Sequence, residues 1–548
     1  MFGSPCEPAR RGGLIGRLEP ACRPPMPRPP NDSFAAPHRL LSAPWLLGAL
    51  ALWLLATLGL RPLLLPDEGR YAEVARAMWH ARTFDSWLVP TLNGLPFFHK
   101  PPLFYWLDIA AMQVFGAHEF AGRFGSAVGA WSMGAALFLA MRHWHGARTG
   151  RIALGVLATT PFFFIGGQYA NHDMLVGGLI TAAVLALARA VESSTRRSPG
   201  DSPSSGGEPA QIDLRWLVAG WVLCALAMLA KGLIGIVLPA FVIGPWLLAQ
   251  GRWRQMLALL HPLGLLAFLV VGLPWFVAMQ MRYPGFFDYF VMEQHFRRFA
   301  QSTFNNVHGA WFFIAVLPLA TLPWSVWAPA AFKRAWAERC PMTLLYAWWT
   351  IAIVGFFSIP SSKLVGYALP ALAPWCALLA LVIAAGRTRV WRGVMIASAV
   401  ACVVLVGFAA WKAPRSNQAL ALTLRAAMAP TDLVVMVDEY YYDVPFYARL
   451  TRPVIIAANW ADPEIPRRDN WRKEVFDAAR FDPALARELL RPLTEIATLA
   501  CGRSASSTFW FIVPAGRAAL VSGQPGAARA FADARTELWR APGRACSE

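Results

Sequence analysis

In the stretch PDEGRYAEVARAM, residues 66–78, two carboxylates, a guanidinium and a phenol fall within five residues of one another, directly after a long apolar run. If the stretch is helical, Asp67, Arg70, Tyr71 and Val74 take the i, i+3, i+4 and i+7 positions of one face, presenting acid, cation and phenol together. That face, with Glu68 beside it, suits an anionic polar ligand, and a carboxylate there can serve as a general base. The plain structural alternative is capping: carboxylates after Pro66 are favoured in a first helical turn by about 0.3–1 kcal/mol each.

Other polar residues stand out for the same reason. His99 and Lys100 lie in FFHKPPL, Asn171, His172 and Asp173 in QYANHDM, and Ser361, Ser362, Lys363 and Tyr367 in IPSSKLVGYALP. Lys231, in LCALAMLAKGLIGIV, is the most telling, because an ammonium at such depth costs about 2.5–3.5 kcal/mol unless it reaches water or an anion. Snorkelling to the interface is its structural alternative, as capping is for Asp173, and Lys100 and Lys363 also read as ordinary interfacial lysines. MEQHFRRF carries Glu293, His295, Arg297 and Arg298. His99, His295 and Glu293 together offer two imidazoles and a carboxylate to a divalent metal, although their spacing matches no local metal motif.

The elements that must position these groups are membrane helices. The chain has 548 residues, 56% of them hydrophobic, 15% charged and 25 of them tryptophan, which excludes an ordinary soluble protein. Apolar runs fall at roughly 42–60, 118–141, 152–168, 173–189, 216–231, 232–250, 257–280, 308–330, 342–359, 366–385 and 391–411, about eleven spans with room for thirteen. The run 103–115 is read as an interfacial helix within a first outer loop, 61–117. The formal charge of +18 sits in short clusters between spans, Arg142–Arg151, Arg189–Arg215 and Lys333–Arg339 among them. That is the positive-inside pattern and not a nucleic-acid face. With these clusters cytoplasmic, every polar group singled out above falls on the outer face. Three lysines together with Arg70, Arg297 and Arg298 there break the basic-inside rule, which an outer phosphate ligand explains.

Residues 1–41 are rich in Pro, Arg and Gly and are expected to be disordered in the cytoplasm, with Met26 as an alternative start, and 196–213 to be a cytoplasmic linker. The tail 412–548 regains charge and carries the β-like runs DLVVMV, PVIIAA and TFWFIV, so a soluble α/β domain on the outer side is expected. In an oxidising outer compartment its two cysteines, Cys501 and Cys546, are expected to pair. There is no Walker A loop, no G-x-G-x-x-G after a strand, no C-x-x-C and no H-E-x-x-H. A cytoplasmic nucleotide donor would also need the site on the other face, so the donor is expected to be carried on a lipid.

PDEGRYAEVARAM, FFHKPPLFYW, QYANHDM, AMLAKG, EQHFRRF and SSKLVGYALP, in that order over residues 42–411, resemble the polyprenyl-phosphate-sugar glycosyltransferases of the protein mannosyltransferase superfamily. Within it the chain is similar to the bacterial lipid A aminoarabinose transferases. The resemblance implies the GT-C fold, with interfacial helices and a periplasmic α/β domain over a cavity in the inner membrane. It implies an undecaprenyl-phosphate sugar as donor and lipid A as acceptor, with Asp67 and Asp173 as the acidic pair of the cavity. Lys100, Lys231, Arg298 and Tyr367 are implied as holders of donor or acceptor phosphates. The aminoarabinose members have a glutamate before the lysine of the KP pair where this chain has His99, which leaves aminoarabinose, glucosamine, galactosamine and a neutral sugar all open. A protein O-glycosyltransferase is the alternative within the superfamily. A transporter of lipid-linked sugars is the alternative outside it, disfavoured because no internal repeat is seen and the polar groups avoid the midplane.

Overall fold

Backbone amides in hydrocarbon must be satisfied within their own segment, and in this computed structural model each of the eleven apolar runs is helical. The structure describes residues 42–192, 212–297, 306–412, 416–501 and 507–544, so the expected tail 1–41 and most of the expected linker 196–213 lie outside the described residues. Among these, seven helices are long and apolar enough to cross a membrane, and Phe312–Ala320 with Trp324–Glu338, bent by 110°, makes an eighth if taken as one span. Ala43–Leu55, Leu103–Phe115 and Ile234–Ala249 are apolar but shorter. The second and third runs are separate helices, as expected: the segment Phe124–Ala158 breaks at Gly146 (φ 86°, ψ 164°) and doubles back so that Gly150 lies against Arg142, and the third run continues in the short helix Pro161–Gly167. The protein is a multi-span membrane protein.

His172–Ala190 has 89% of its apolar window buried, against 17% for Val390–Lys412, so the first is the centre of the bundle and the second its periphery. Centrality requires close backbone approach, and small residues supply it. A Cβ on Gly178 would stand 2.0 Å from the Gly129 carbonyl oxygen, where Phe124–Ala158 crosses the central helix.

The three β-like runs form strands Leu433–Val437, Ile455–Ala457 and Thr508–Pro514. Among the described residues they belong to a six-stranded sheet ordered Leu490–Arg491, Ile455–Ala457, Leu433–Val437, Thr508–Pro514, Thr536–Pro542, Ala528–Ala532. Its first four strands are parallel and the last two antiparallel, Val435 standing opposite both Ile455 and Phe511. Cys501 is disulfide-bonded, and Cys546 lies outside the described residues.

This domain docks on the loop after the first helix. The Leu63 amide donates to the Tyr447 hydroxyl (2.7 Å), Arg76 to the Leu450 carbonyl (2.8 Å), and Asn93 exchanges two 2.8 Å bonds with Val454. Asn93 and Gly94 (φ 52° and 81°) form the tight turn of the hairpin Thr91–Leu92 and Leu95–Pro96, a dipeptide that tolerates left-handed backbone.

Candidate active site

The expected face of PDEGRYAEVARAM is present. Asp67 opens the helix Asp67–Ala81, and Arg70, one turn on, pairs with Asp67 Oδ1 and reaches the Tyr71 hydroxyl at 3.2 Å. The other oxygen of Asp67 is only loosely approached, by the Tyr169 hydroxyl at 3.4 Å and Asn171 Nδ2 at 3.5 Å. Arg70 is buried, and its second terminal nitrogen pairs with Glu474 of the C-terminal sheet domain. Burial disfavours the Arg70 charge, but Glu474, Tyr71 and Asp67 hold its guanidinium well above the ordinary range.

Glu68, expected beside the ligand, does something else. One residue along a helix is about 100° around it, which turns Glu68 away from Asp67 and into protein. It is fully buried, paired with Arg61 and Arg123, and also accepts from the Leu64 and Ala170 amides at 2.9 Å. Burial pushes its carboxyl up, and the two guanidiniums, Arg123 first, overcome this and hold it at about 2. Glu68 therefore fastens the first loop to the starts of two later helices and has no capacity left for a substrate.

The second acid is joined to the first through one turn. Asn171 caps the helix His172–Ala190 by accepting from the Asp173 amide at 3.0 Å, while its amide nitrogen faces Asp67. Asp173 is ion-paired with Lys231, whose ammonium also lies 4.7 Å from the Tyr367 ring centre. A Cβ on Gly366 would stand 2.4 Å from Asp173 Oδ2, so only glycine lets the SSKLVGYALP segment close over the pair. The cap expected of Asp173 is thus supplied by Asn171, and the Asp173 carboxylate, in the first turn of the helix, pairs with Lys231 instead. His172, fully buried with both ring nitrogens lacking hydrogen-bond partners among the described residues, packs against Tyr71, Phe104 and Tyr105 and lies within electrostatic reach of Lys100, Lys231 and Arg70.

Lys100 donates to the His99 carbonyl at 3.1 Å. The His99 ring stacks on Phe97 and stands 4.0 Å from Asp477 of the C-terminal sheet domain. Burial raises Asp477, and Lys473 chiefly opposes it, with Lys473 Nζ at 2.9 Å. Glu293 pairs with Arg480 at 3.2 Å. Among the described residues no three His, Cys, Asp or Glu side chains gather as a metal site. The His295 side chain and Arg298 lie outside the described residues. With Glu293 already answered by Arg480, the described donors do not fit a metal and no step is assigned to one. Lys363 also departs from expectation. Its buried ammonium donates to the His308 carbonyl at 2.8 Å and to the Pro360 carbonyl, closing a loop against Val307 and Ser362, so it is spoken for structurally.

The sequence reading missed Arg61, Arg123, Tyr169, Tyr442, Glu474 and Asp477. Arg123 carried one signal, an arginine at the very start of an apolar run. Glu474 and Asp477 sit in WRKEVFDAA, which has the pattern of any amphipathic surface helix, and nothing in it points to the membrane domain.

Residues 45–290 match the family model described as dolichyl-phosphate-mannose-protein mannosyltransferase. An undecaprenyl phosphate-alpha-4-amino-4-deoxy-L-arabinose arabinosyl transferase of an Enterobacter species is 32% identical over 67% of this chain and 65% of its own length. The transferase of the same name from Pseudomonas aeruginosa is 34% identical over 61% and 58%. The matched region thus spans less than two thirds of these relatives. The crystal structure of ArnT from Cupriavidus metallidurans bound to undecaprenyl phosphate superposes with a TM-score of 0.74 at 23% identity, over 90% of this chain and 97% of that one. The protein is therefore a multi-span membrane protein with the GT-C fold of the ArnT structure, and its residues 45–290 are similar to the protein mannosyltransferase family model.

Proposed function

We propose that the protein is a glycosyltransferase that moves an amino sugar from undecaprenyl phosphate to a lipid A phosphate at the periplasmic face of the bacterial inner membrane. The observation that carries this is the linked acidic pair: Asp67 and Asp173, each bound to one cation and joined through Asn171, lie beneath a soluble domain that reaches Arg70. An acceptor oxygen attacks the anomeric carbon as the bond from that carbon to the carrier phosphate oxygen breaks. The bonding electron pair leaves on the phosphate, and the sugar inverts. Lys100 and Lys231 stabilise the charge gathering on the departing phosphate, because fixed cations in a water-poor site need no reorganisation. A lipid A phosphate is already anionic and needs no base. A hydroxyl acceptor would give its proton to Asp67 through the open Oδ2.

The names of the relatives support the donor, and the family model's name supports a second acceptor class, a protein hydroxyl. Purified protein supplied with radiolabelled undecaprenyl-phosphate 4-amino-4-deoxy-L-arabinose, and with lipid A or a protein acceptor, distinguishes them. Label is expected on lipid A. Label on protein alone establishes the second reading, and donor consumed into neither refutes both. Mass spectrometry of lipid A from cells with and without the gene identifies the sugar, a pentosamine or a hexosamine difference deciding between aminoarabinose and the others.

A further inference from the structure

Arg70 spreads one positive charge over two carboxylates from distant parts of the chain. One terminal nitrogen pairs with Asp67 Oδ1 and the other with Glu474 Oε1, from the helix Trp471–Ala479 of the soluble domain. The second oxygen of Glu474 accepts the Tyr442 hydroxyl, and the Tyr71 and Tyr442 rings lie 4.7 and 5.6 Å from the guanidinium carbon. Of the three charged side chains only Asp67 is open, at 30% exposure against 11% for Arg70 and 8% for Glu474. A guanidinium left with one carboxylate prefers to bind it through both terminal nitrogens. Here Glu474 occupies the other terminal nitrogen, which the end-on fork would use, and its charge holds the guanidinium turned away from the side-on fork, Nε having no hydrogen-bond partner among the described residues.

We propose that Glu474 is a positioning residue for sugar transfer: by taking half of Arg70, it keeps Asp67 held through one oxygen and open to the reacting groups through the other. This rests on Asp67 being the acid that meets the substrates. Glu474 itself touches no substrate and acts through Arg70. Without its charge, Arg70 turns both nitrogens onto Asp67 and ties up the oxygen that faces Tyr169 and Asn171.

The test uses the full chain in detergent, with undecaprenyl-phosphate 4-amino-4-deoxy-L-arabinose and lipid A. Glu474→Gln is expected to lower kcat at least tenfold with the donor KM within threefold. Tyr442→Phe, which removes one partner of Glu474, is expected to lower kcat about threefold. Asn93→Gly breaks the bonds to Val454 but keeps the left-handed turn, and is expected to stay within twofold of wild type. Unchanged kcat in Glu474→Gln, a loss carried by KM, or an equal loss in Asn93→Gly, which would point to docking in general, overturns the proposal. Should Glu474→Gln not fold, unchanged kcat in Tyr442→Phe overturns it by itself. An inactive wild type, or full activity in Asp67→Asn, overturns it together with the transferase reading. An active wild type, silenced by Asp67→Asn but indifferent to Glu474→Gln, overturns it alone.

Discussion

Replacing Glu68 by glutamine tests whether this carboxylate is structural, as its surroundings say. Its oxygens accept from Arg61 and Arg123 and from two backbone amides, and neither Glu68 nor Arg123 has any exposed side-chain surface, so water cannot stand in for a lost partner. The carboxyl is held at about 2 against an ordinary 4.5. At about 1.4 kcal/mol for each tenfold change in protonation, that drop is worth about 3 kcal/mol of stability at neutral pH. Leaving buried charges without their partner costs about 3–5 kcal/mol in general, so the two routes agree. The sign follows from the direction of the shift. A carboxylate depressed in the folded state stabilises above pH 4.5, and this contribution disappears as pH falls from 4.5 towards 2. Unfolding midpoints of detergent-purified wild type and Glu68→Gln, followed by tryptophan fluorescence, should be well separated at pH 7 and converge on acidification. Equal midpoints at pH 7, or a gap that does not narrow below pH 4.5, would refute the reasoning.

Asp67→Asn should abolish transfer and leave folding intact, since Asp67 is partly exposed and the buried Arg70 keeps Glu474 as its counter-charge; activity near wild type with a normal elution profile would remove Asp67 from the chemistry. Lys231→Ala should lower kcat and kcat/KM for the donor, and Lys231→Arg should restore them only in part, because a planar fork replaces a point charge between Asp173 and the Tyr367 ring; equal constants in all three would return Lys231 to snorkelling. Lys363→Met should lower thermal stability by about 1–3 kcal/mol, the cost of leaving the His308 and Pro360 carbonyls unsatisfied, with the donor KM unchanged; a raised KM at full stability would restore it to the binding site. Cys501→Ser and Cys546→Ser should each destabilise the soluble domain by about 3–4 kcal/mol in the chain-entropy model, and labelling of both thiols in denatured, unreduced protein would show that they are not each other's partners.

Hydropathy made every membrane helix legible, because the requirement for internal hydrogen bonding leaves an apolar run no other choice. It did not make every bend legible: the 110° bend before Trp324 lies inside the single run 308–330, whereas the break at Gly146 falls between two runs, where glycine takes the left-handed backbone without strain. Helical periodicity placed Asp67, Arg70 and Tyr71 on one face, and depth in the apolar run marked Lys231, but neither named the partner. Glu68 was assigned to the ligand on adjacency alone, although a helix separates adjacent residues by more than it separates every fourth. Glu474 was illegible for a different reason. Its partner is 404 residues away in the chain, and a short amphipathic helix reads the same whether its acid meets water or an arginine.

The 404 residues between Arg70 and Glu474 are also an interval of time. At the usual pace of synthesis, about 5–20 residues per second, they take roughly 20–80 s to emerge. Throughout that interval Arg70 has Asp67 within reach and Glu474 does not yet exist. The loop after the first helix is made early and waits for the last seventh or so of the chain before its charges find their final arrangement. A ribosome that stalls short of Glu474 therefore leaves behind a chain in which Arg70 has only one of its two carboxylates, and translation past this residue becomes a condition for assembling the cluster.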